Sequence, residues 1–223
     1  SQKIKLVLVV SAVILDSFSA AAQNQDSTKF TTGLNLYSSY LWRGTCYGTG
    51  PALQPMLEFS AGVFSAGAWG SFDFHGYQES DLWVSFSLPA GFSAGLTDYY
   101  YPAFDFRDYS EETGSHAVEI NLSFSKWGIN LAGNDILNKA GNAGSKGGEK
   151  YVEAQYVFNS VYLFLGAGDG WHSTDTDAGK DRFRICNTGI GVQRDLKITG
   201  SFSLPVSGQL IFNPDSRKMF LVA

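Results

Sequence analysis

Seven charged side chains fall on the more polar side of a repeated alternation of apolar and polar residues, where they could act together on a solute. They are Arg43, Glu58, Asp73, Asp81, Glu119, Glu153 and Lys197. Because acids outnumber bases in this set, a wide passage lined by it would be electronegative and would favour cations. In a narrow enclosure the same charges would instead pair with one another, since buried charges are normally paired or hydrogen-bonded.

Arg43 and two tryptophans are the side chains best suited to bind a solute directly. The planar guanidinium of Arg43 could hold a carboxylate-bearing solute, but pairing with Glu58 or with another acid of the same surface is the favoured interpretation. Trp69 and Trp83 are predicted to point to the same side as these charges. They could form a platform on which a sugar stacks, although filling of the interior is favoured.

Catalytic and metal chemistry are not favoured by this sequence. All three histidines, His75, His116 and His172, fall in or beside predicted loops, and no Gly-x-Ser-x-Gly element occurs. A hydrolase needs a nucleophile, a histidine and an orienting group within hydrogen-bond reach, so we expect no enzyme and keep a lipid hydrolase in a barrel wall as a minor alternative. Five acids around one loop could bind Ca²⁺, but a solvated loop is favoured, and we predict no metal and no cofactor. These acids are Asp98, Asp105, Asp108, Glu111 and Glu112.

The elements that position these residues are predicted to be strands. The clearest one places Leu82, Val84, Phe86 and Leu88 opposite Asp81, Trp83, Ser85 and Ser87, which is the period of two of a half-buried strand. Tight turns and longer connections alternate along the chain. The tight turns are at Gly62, Gly91, Lys126, Ser160 and Asp195, and the longer connections begin near Gly44, His75, Pro102, Asn138 and Gly168. Short periplasmic turns and longer extracellular loops are typical of transmembrane barrels. We therefore predict an all-β fold, a single antiparallel up-and-down transmembrane β-barrel of about 12 strands.

Several local features are predicted within this barrel. The first strand is expected to run from Leu34 to Trp42, so that Tyr40 and Trp42 would form part of an aromatic girdle at the outer rim. Asp98 interrupts the apolar face of its strand and indicates a bulge or the end of the lipid-facing band. The tenth strand is expected to turn outward Cys186, Thr188, Ile190 and Val192.

The two cysteines, Cys46 and Cys186, are predicted to be free thiols. Strand 10 lies three neighbours from strand 1 in a closed barrel, on the order of 14 Å at about 4.8 Å per strand. That separation exceeds the distance of about 7 Å between Cα atoms that a disulfide can bridge.

The first 22 residues are predicted to be a secretory signal peptide. Lys3 and Lys5 precede the apolar run Leu6 to Leu15, and Ala20-Ala21-Ala22 provides a cleavage site. The remaining residues, 23 to 223, are assigned to the barrel, with a last strand that we expect to be incomplete. Without the peptide the formal charge is −6, from 14 bases and 20 acids, and such an acidic exported chain is a poor binder of nucleic acid.

Three stretches resemble the TorF-type family of porins: Tyr40-Leu-Trp-Arg-Gly44, Pro51-Ala-Leu-Gln54, and the strand from Ser60 to Ser71 that precedes the acidic strand Glu79 to Trp83. The resemblance is most specific between Leu34 and Leu88. It implies an outer-membrane barrel with a role in passive transport, and it brings no established substrate or catalytic residue.

We accordingly expect a monomer in the outer membrane of a Gram-negative cell, surrounded by lipid, that forms a narrow channel for small hydrophilic solutes with a preference for cations. A soluble lipocalin-like barrel is the alternative fold, although it would show only about eight strands. The alternative function is a non-conducting structural barrel, or one that binds a periplasmic or outer-membrane protein partner.

Overall fold

A computed structural model describes residues 28–173 and 182–223. The predicted signal peptide, residues 1–22, lies outside these ranges. Within them sixteen strands follow in chain order: β1 (Lys29–Tyr37), β2 (Tyr40–Trp42), β3 (Thr45–Tyr47), β4 (Ala52–Ala61), β5 (Phe64–Asp73), β6 (Gln78–Ser87), β7 (Phe92–Tyr100), β8 (His116–Lys126), β9 (Ile129–Ile136), β10 (Lys139–Ala140), β11 (Ser145–Lys146), β12 (Lys150–Phe158), β13 (Val161–Gly168), β14 (Arg184–Lys197), β15 (Ser203–Asn213) and β16 (Lys218–Val222).

Twelve of these strands form one antiparallel sheet that curls into a nearly closed barrel, and the predicted fold class is confirmed in its all-β, twelve-stranded architecture. The order in the sheet is β1-β4-β5-β6-β7-β8-β9-β12-β13-β14-β15-β16, while β2–β3 and β10–β11 form two small hairpins of their own. The two edge strands meet where the N–H of Ser38 donates to the carbonyl oxygen of Ala223 at 2.8 Å. In the described part of the chain, no helix combines the length and apolar character needed to cross a bilayer.

The outside of the barrel is apolar. Leucine, isoleucine, valine and phenylalanine side chains alternate along the strands with inward-facing residues and form a surface that we call the apolar belt. Its members include Leu34, Leu36, Leu57, Leu82, Val84, Leu96, Ile120, Leu122, Leu131, Val152, Leu163, Leu165, Ile190, Val192, Leu210 and Phe212, all exposed. Consecutive residues on β8 show the contrast between the two faces. Glu119 is fully buried inside the barrel, whereas Ile120 and Leu122 on the other face are 38% and 55% exposed.

Short turns follow β4, β8 and β12 and long connections follow β1, β7 and β9, as predicted, but the β5–β6 and β6–β7 connections have four residues each, 74–77 and 88–91. The turn after β14 also needs a correction. The expected turn at Arg194-Asp195 is wrong, because Arg194 pairs with Val206 and Asp195 with Pro205 in the β14–β15 ladder. The reversal comes later, where the N–H of Ile198 donates to the carbonyl oxygen of Phe202. The pairing register continues without a shift from Thr188 to Lys197, so the two charged residues extend the strand.

A β-bulge in β14 corrects the predicted orientation of Cys186. The register between β13 and β14 shifts at Gly166 and Ala167, which leaves one extra residue on β14. Such an insertion reverses which side of the sheet the preceding residues face. Cys186 is consequently fully buried, whereas Ile190 and Val192 are exposed as predicted. Both cysteines are free thiols.

The first strand begins and ends earlier than predicted, and the residues expected at its end lie inside the barrel. β1 ends at Tyr37, and the chain then folds inward as the hairpin Tyr40–Tyr47, built from β2 and β3, which we call the inner hairpin. The predicted girdle role of Tyr40 and Trp42 is therefore wrong. Their side chains are 5% and 8% exposed and belong to the hydrophobic cluster inside the barrel.

Aromatic side chains do gather on the outside at another position, around Asp98. The carboxylate of Asp98 lies 3.0 Å from Nδ1 of His116 on the neighbouring strand. The His116 ring is stacked between Tyr100 and Tyr109, with centroid separations of 4.8 and 4.1 Å, and its Nε2 lies 2.8 Å from the carbonyl oxygen of Phe106. The acid that interrupts the apolar face is thus paired and covered by the connection between β7 and β8.

Replacing His116 with alanine should lower the free energy of unfolding by about 1–3 kcal/mol, because Asp98 would lose its partner beside the apolar belt. Urea unfolding of the purified barrel, followed by tryptophan emission, measures this loss. The double variant Asp98→Ala/His116→Ala should lose less than the sum of the two single variants. Additive losses would contradict a coupled pair.

Candidate functional site

The inner hairpin places Arg43 in the middle of the barrel. Arg43 and Gly44 form its two-residue turn with φ angles of 49° and 79°, the two left-handed positions that a type I′ turn requires. The side-chain amide of Asn213 donates to the carbonyl oxygen of Gly44 at 3.0 Å, and the Gly44 Cα lies so close to the carbonyl of Cys186 that no side chain fits there. The turn is therefore fastened to the wall at β14 and β15.

Arg43 pairs with Glu119 on the opposite part of the wall. Nη1 donates to Oε2 at 2.6 Å and Nη2 donates to Oε1 at 2.8 Å, which is the two-bond geometry that an arginine makes with a carboxylate. The Glu119 carboxylate also accepts from the hydroxyl of Tyr99 at 2.9 Å and from the amide of Asn121 at 2.6 Å. The Arg43 and Glu119 side chains are 12% and 0% exposed. The expectation that Arg43 pairs with a wall acid is confirmed, and that acid is Glu119.

Two aromatic rings pack against the Arg43 guanidinium. Its Cζ lies 4.4 Å from the ring centroid of Trp42 and 4.5 Å from that of Tyr151, within the range of a cation–π contact. Trp42 in turn packs against Tyr99 and Trp171, with centroid separations of 5.4 and 6.0 Å. The interior at this level is therefore filled by the hairpin and its neighbours.

The connection after β13 contributes His172 to this cluster. The short 3-10 turn Gly170–His172 brings the imidazole Nε2 to 3.3 Å from Nη1 of Arg43. Burial, and then the positive charge of Arg43, lower the pKa of His172 well below its ordinary value. A neutral imidazole has a ring nitrogen that can accept a hydrogen bond from the guanidinium.

Two of the other predicted acids, Asp81 and Glu153, are also buried inside the barrel, and so is Glu79, which was not among the predicted lumen charges. Glu79, Asp81 and Glu153 are 3%, 2% and 5% exposed. The hydroxyl of Tyr77 donates to Glu79 at 2.5 Å. Glu153 accepts from the amide of Asn187 at 2.8 Å and from the hydroxyl of Tyr151. Glu79 and Glu153 thus accept hydrogen bonds from neutral donors.

The remaining predicted lumen charges lie closer to the two ends of the barrel. Asp73 ends β5 and accepts hydrogen bonds from the backbone N–H groups of Thr49, His75 and Tyr77 at 2.8–2.9 Å. It therefore organises loops at the rim, and its predicted placement in the lumen is wrong. Lys197 is exposed at the last position of β14, which is also a correction. The half-buried Glu58 lies on the inward side of β4, near the turn to β5.

The two tryptophans predicted to point inward have different surroundings. Trp69 packs against Tyr40 of the inner hairpin, with a centroid separation of 5.5 Å. Trp83 instead lines a cavity that extends from the hairpin turn toward the short connections. Its atom-free space is about 880 Å³, including the part open to solvent, and its lining includes Trp42, Arg43, Tyr151, Phe164 and Asn187.

Sequence reasoning missed the tyrosines and the histidine that complete this site. Tyr99 and Tyr151 follow the inward parity of Thr97 and Glu153 on their strands, so that signal was present in the sequence. His172 had no such signal because it lies in a connection. Only the inward fold of that connection brings it beside Arg43.

The acidic loop considered for Ca²⁺ makes other contacts. The hydroxyl and the backbone N–H of Ser110 and the hydroxyl of Thr113 donate to Asp108 and hold the pKa of its carboxyl below its ordinary value. Asp98 faces His116, as described above. In residues 28–173 and 182–223, no group of three or more histidine, cysteine or acidic side chains is arranged to hold a metal ion.

Comparison of the chain with family models, curated proteins and solved structures gave no match. The resemblance to TorF-type porins over Leu34 to Leu88 therefore stays a prediction, and function has to be argued from the barrel and its interior.

Proposed function

We propose that this chain is an outer-membrane β-barrel of a Gram-negative cell that passes small hydrophilic solutes through a lumen restricted by the inner hairpin. The apolar belt supports the membrane location. In a soluble barrel the apolar residues face inward, whereas here the interior holds Glu79, Asp81, Glu119 and Glu153 and the exterior holds leucine, isoleucine and valine. A bilayer is the solvent that favours this inverted distribution.

The main support for a restricted lumen is the two-bond ion pair between Arg43 and Glu119, which spans the interior. The hairpin that presents Arg43 is a connection between two wall strands and forms no part of the barrel sheet. Its displacement would open the interior without breaking any pair of wall strands. A channel whose resting state is closed or narrow is therefore the function that this geometry supports best.

The acids that remain inside favour cations over anions. The charge of Arg43 is balanced by Glu119, while Glu79 accepts from the hydroxyl of Tyr77 and Glu153 accepts from the amide of Asn187. A ring of acidic side chains attracts cations into a pore. Glu153 lines the cavity, and replacing it with glutamine should accordingly move the reversal potential of a conducting barrel toward zero in a salt gradient.

The experiment is conductance in a planar bilayer with two proteins, the unchanged barrel and a variant whose residues 40–47 are replaced by a glycine-serine segment of equal length. We expect small or rare openings from the unchanged barrel and a conductance several times larger from the variant, because the variant lacks the side chains that fill the lumen. A second variant with a glycine-serine replacement of residues 110–113, which are exposed in the connection between β7 and β8, serves as the control and should conduct like the unchanged barrel.

The second candidate function is a non-conducting barrel that serves as a structural element or binds a protein partner. The same bridge favours it, because Arg43 and Glu119 are almost fully buried and paired. Silence of both the unchanged barrel and the hairpin variant, from folded protein, would reject the channel and leave this candidate.

A further inference from the structure

The cavity below the inner hairpin has aromatic walls that lie flat against the sheet. Inward-facing glycines on neighbouring strands make this arrangement possible. A Cβ atom at Gly67 would collide with the indole of Trp83, and one at Gly189 would collide with the ring of Phe164. Rings that extend sideways across a glycine cover the wall and leave space in the middle of the barrel, so that they can present their faces to a solute in the cavity.

The polar groups of the same cavity are mostly neutral amides. Asn121, Asn134, Asn187 and Gln209 all line it. The Oδ1 atom of Asn187 is buried and accepts no hydrogen bond from any described residue, while its amide nitrogen donates to Glu153. Amide groups offer both donors and acceptors, and the Asn187 oxygen would accept from a hydroxyl group.

The charged groups of the lining leave no strong site for an ionic ligand. Arg43 and Glu119 balance each other in a two-bond pair. Glu153 is held by Tyr151 and Asn187, and its negative charge would repel an anion. A cation would have to compete with these hydrogen bonds. A ligand with many hydroxyl groups and no charge fits the lining best.

We propose that this cavity binds a neutral sugar of monosaccharide size, with one face of the sugar ring on Trp83 and hydroxyl groups on the amides of Asn187 and Gln209. The proposal deepens the proposed function, on which it rests, because it names the class of solute that the lumen would hold. The apolar face of a sugar ring stacks on an aromatic side chain while its edge forms hydrogen bonds.

The test is saturation-transfer NMR on the full-length purified barrel, with D-glucose as the probe and D-glucuronate and D-glucosamine as charged comparators of similar size. We expect a saturable transfer to glucose that is strongest at protons on one face of the ring, and weaker transfer to both charged sugars. Trp83→Leu should weaken apparent glucose affinity by at least about tenfold, and Trp83→Phe by less, because phenylalanine keeps a smaller aromatic face.

Trp127 provides the matched control. It is a tryptophan in the turn between β8 and β9, 75% exposed and distant from the cavity, so Trp127→Leu should leave glucose binding unchanged. Equal transfer to all three sugars, or equal glucose affinity in Trp83→Leu and Trp127→Leu, would overturn the proposal. Conductance separates this inference from the channel itself. A barrel that conducts but does not bind glucose overturns only the sugar site, whereas one that binds glucose without conducting overturns only the channel.

Discussion

Replacing Glu119 with alanine should lower the free energy of unfolding by about 3–5 kcal/mol, because it leaves a buried arginine without its carboxylate. The Arg43 side chain is only 12% exposed and makes both of its short hydrogen bonds to Glu119. Tyr99 and Asn121, which donate to the same carboxylate, would also lose their acceptor. Urea unfolding in lipid vesicles, followed by tryptophan emission, measures the loss.

A double-mutant cycle separates this pair from its surroundings. Arg43→Met keeps much of the side-chain volume and removes the charge, and Glu119→Gln keeps the shape of the carboxylate. The double variant should be more stable than the sum of the single losses implies, because neither charge is then left alone inside the barrel. A loss below about 0.5 kcal/mol for Glu119→Ala, which is typical of surface substitutions, would show that the bridge does not hold the hairpin.

The bridge also accounts for an otherwise unfavourable turn. Arg43 adopts a left-handed backbone conformation that costs an ordinary residue on the order of 1–2 kcal/mol. Asparagine or glycine is the usual occupant of this turn position. Arginine occupies the position in this chain, and its guanidinium joins the hairpin to Glu119 on the wall.

Replacing Leu122 with arginine should destabilise the barrel by about 2–4 kcal/mol in lipid vesicles, because the charge would face the hydrocarbon region. Leu122 lies near the centre of β8, on the apolar belt. The measurement is the unfolding free energy in vesicles, which tests the membrane location directly.

Val63 supplies the matched control. Val63 and Leu122 have the same exposed fraction, 55% each, but Val63 lies in the tight turn between β4 and β5. In water, arginine at either position would be tolerated about equally. In a bilayer, Val63→Arg should cost no more than about 1 kcal/mol because the turn lies at the interface. Equal effects of the two substitutions would reject a membrane barrel.

The wall of the barrel could be predicted from the sequence because its signal is local. The alternation of Leu82, Val84 and Phe86 with Asp81, Trp83 and Ser85 requires only that neighbouring side chains of a strand face opposite sides. The same rule identified Glu119 and Glu153 as inward-facing. It failed at Cys186, where a bulge adds a residue, and at Arg194-Asp195, where two charged residues continue a strand that was expected to turn.

The sequence by itself therefore determined most of the wall strands, their order and the inward direction of Asp81, Glu119 and Glu153. Only the tertiary structure decided that Tyr40 and Trp42 lie inside the barrel and that Arg43 reaches Glu119. The alternation at Tyr40 and Trp42 is compatible with either side of the wall, because periodicity does not distinguish a wall strand from a hairpin inside the lumen. The deciding factor is the space enclosed by twelve strands, which the side chains of the wall do not fill and which the inner hairpin, with its aromatic rings and its single arginine, occupies.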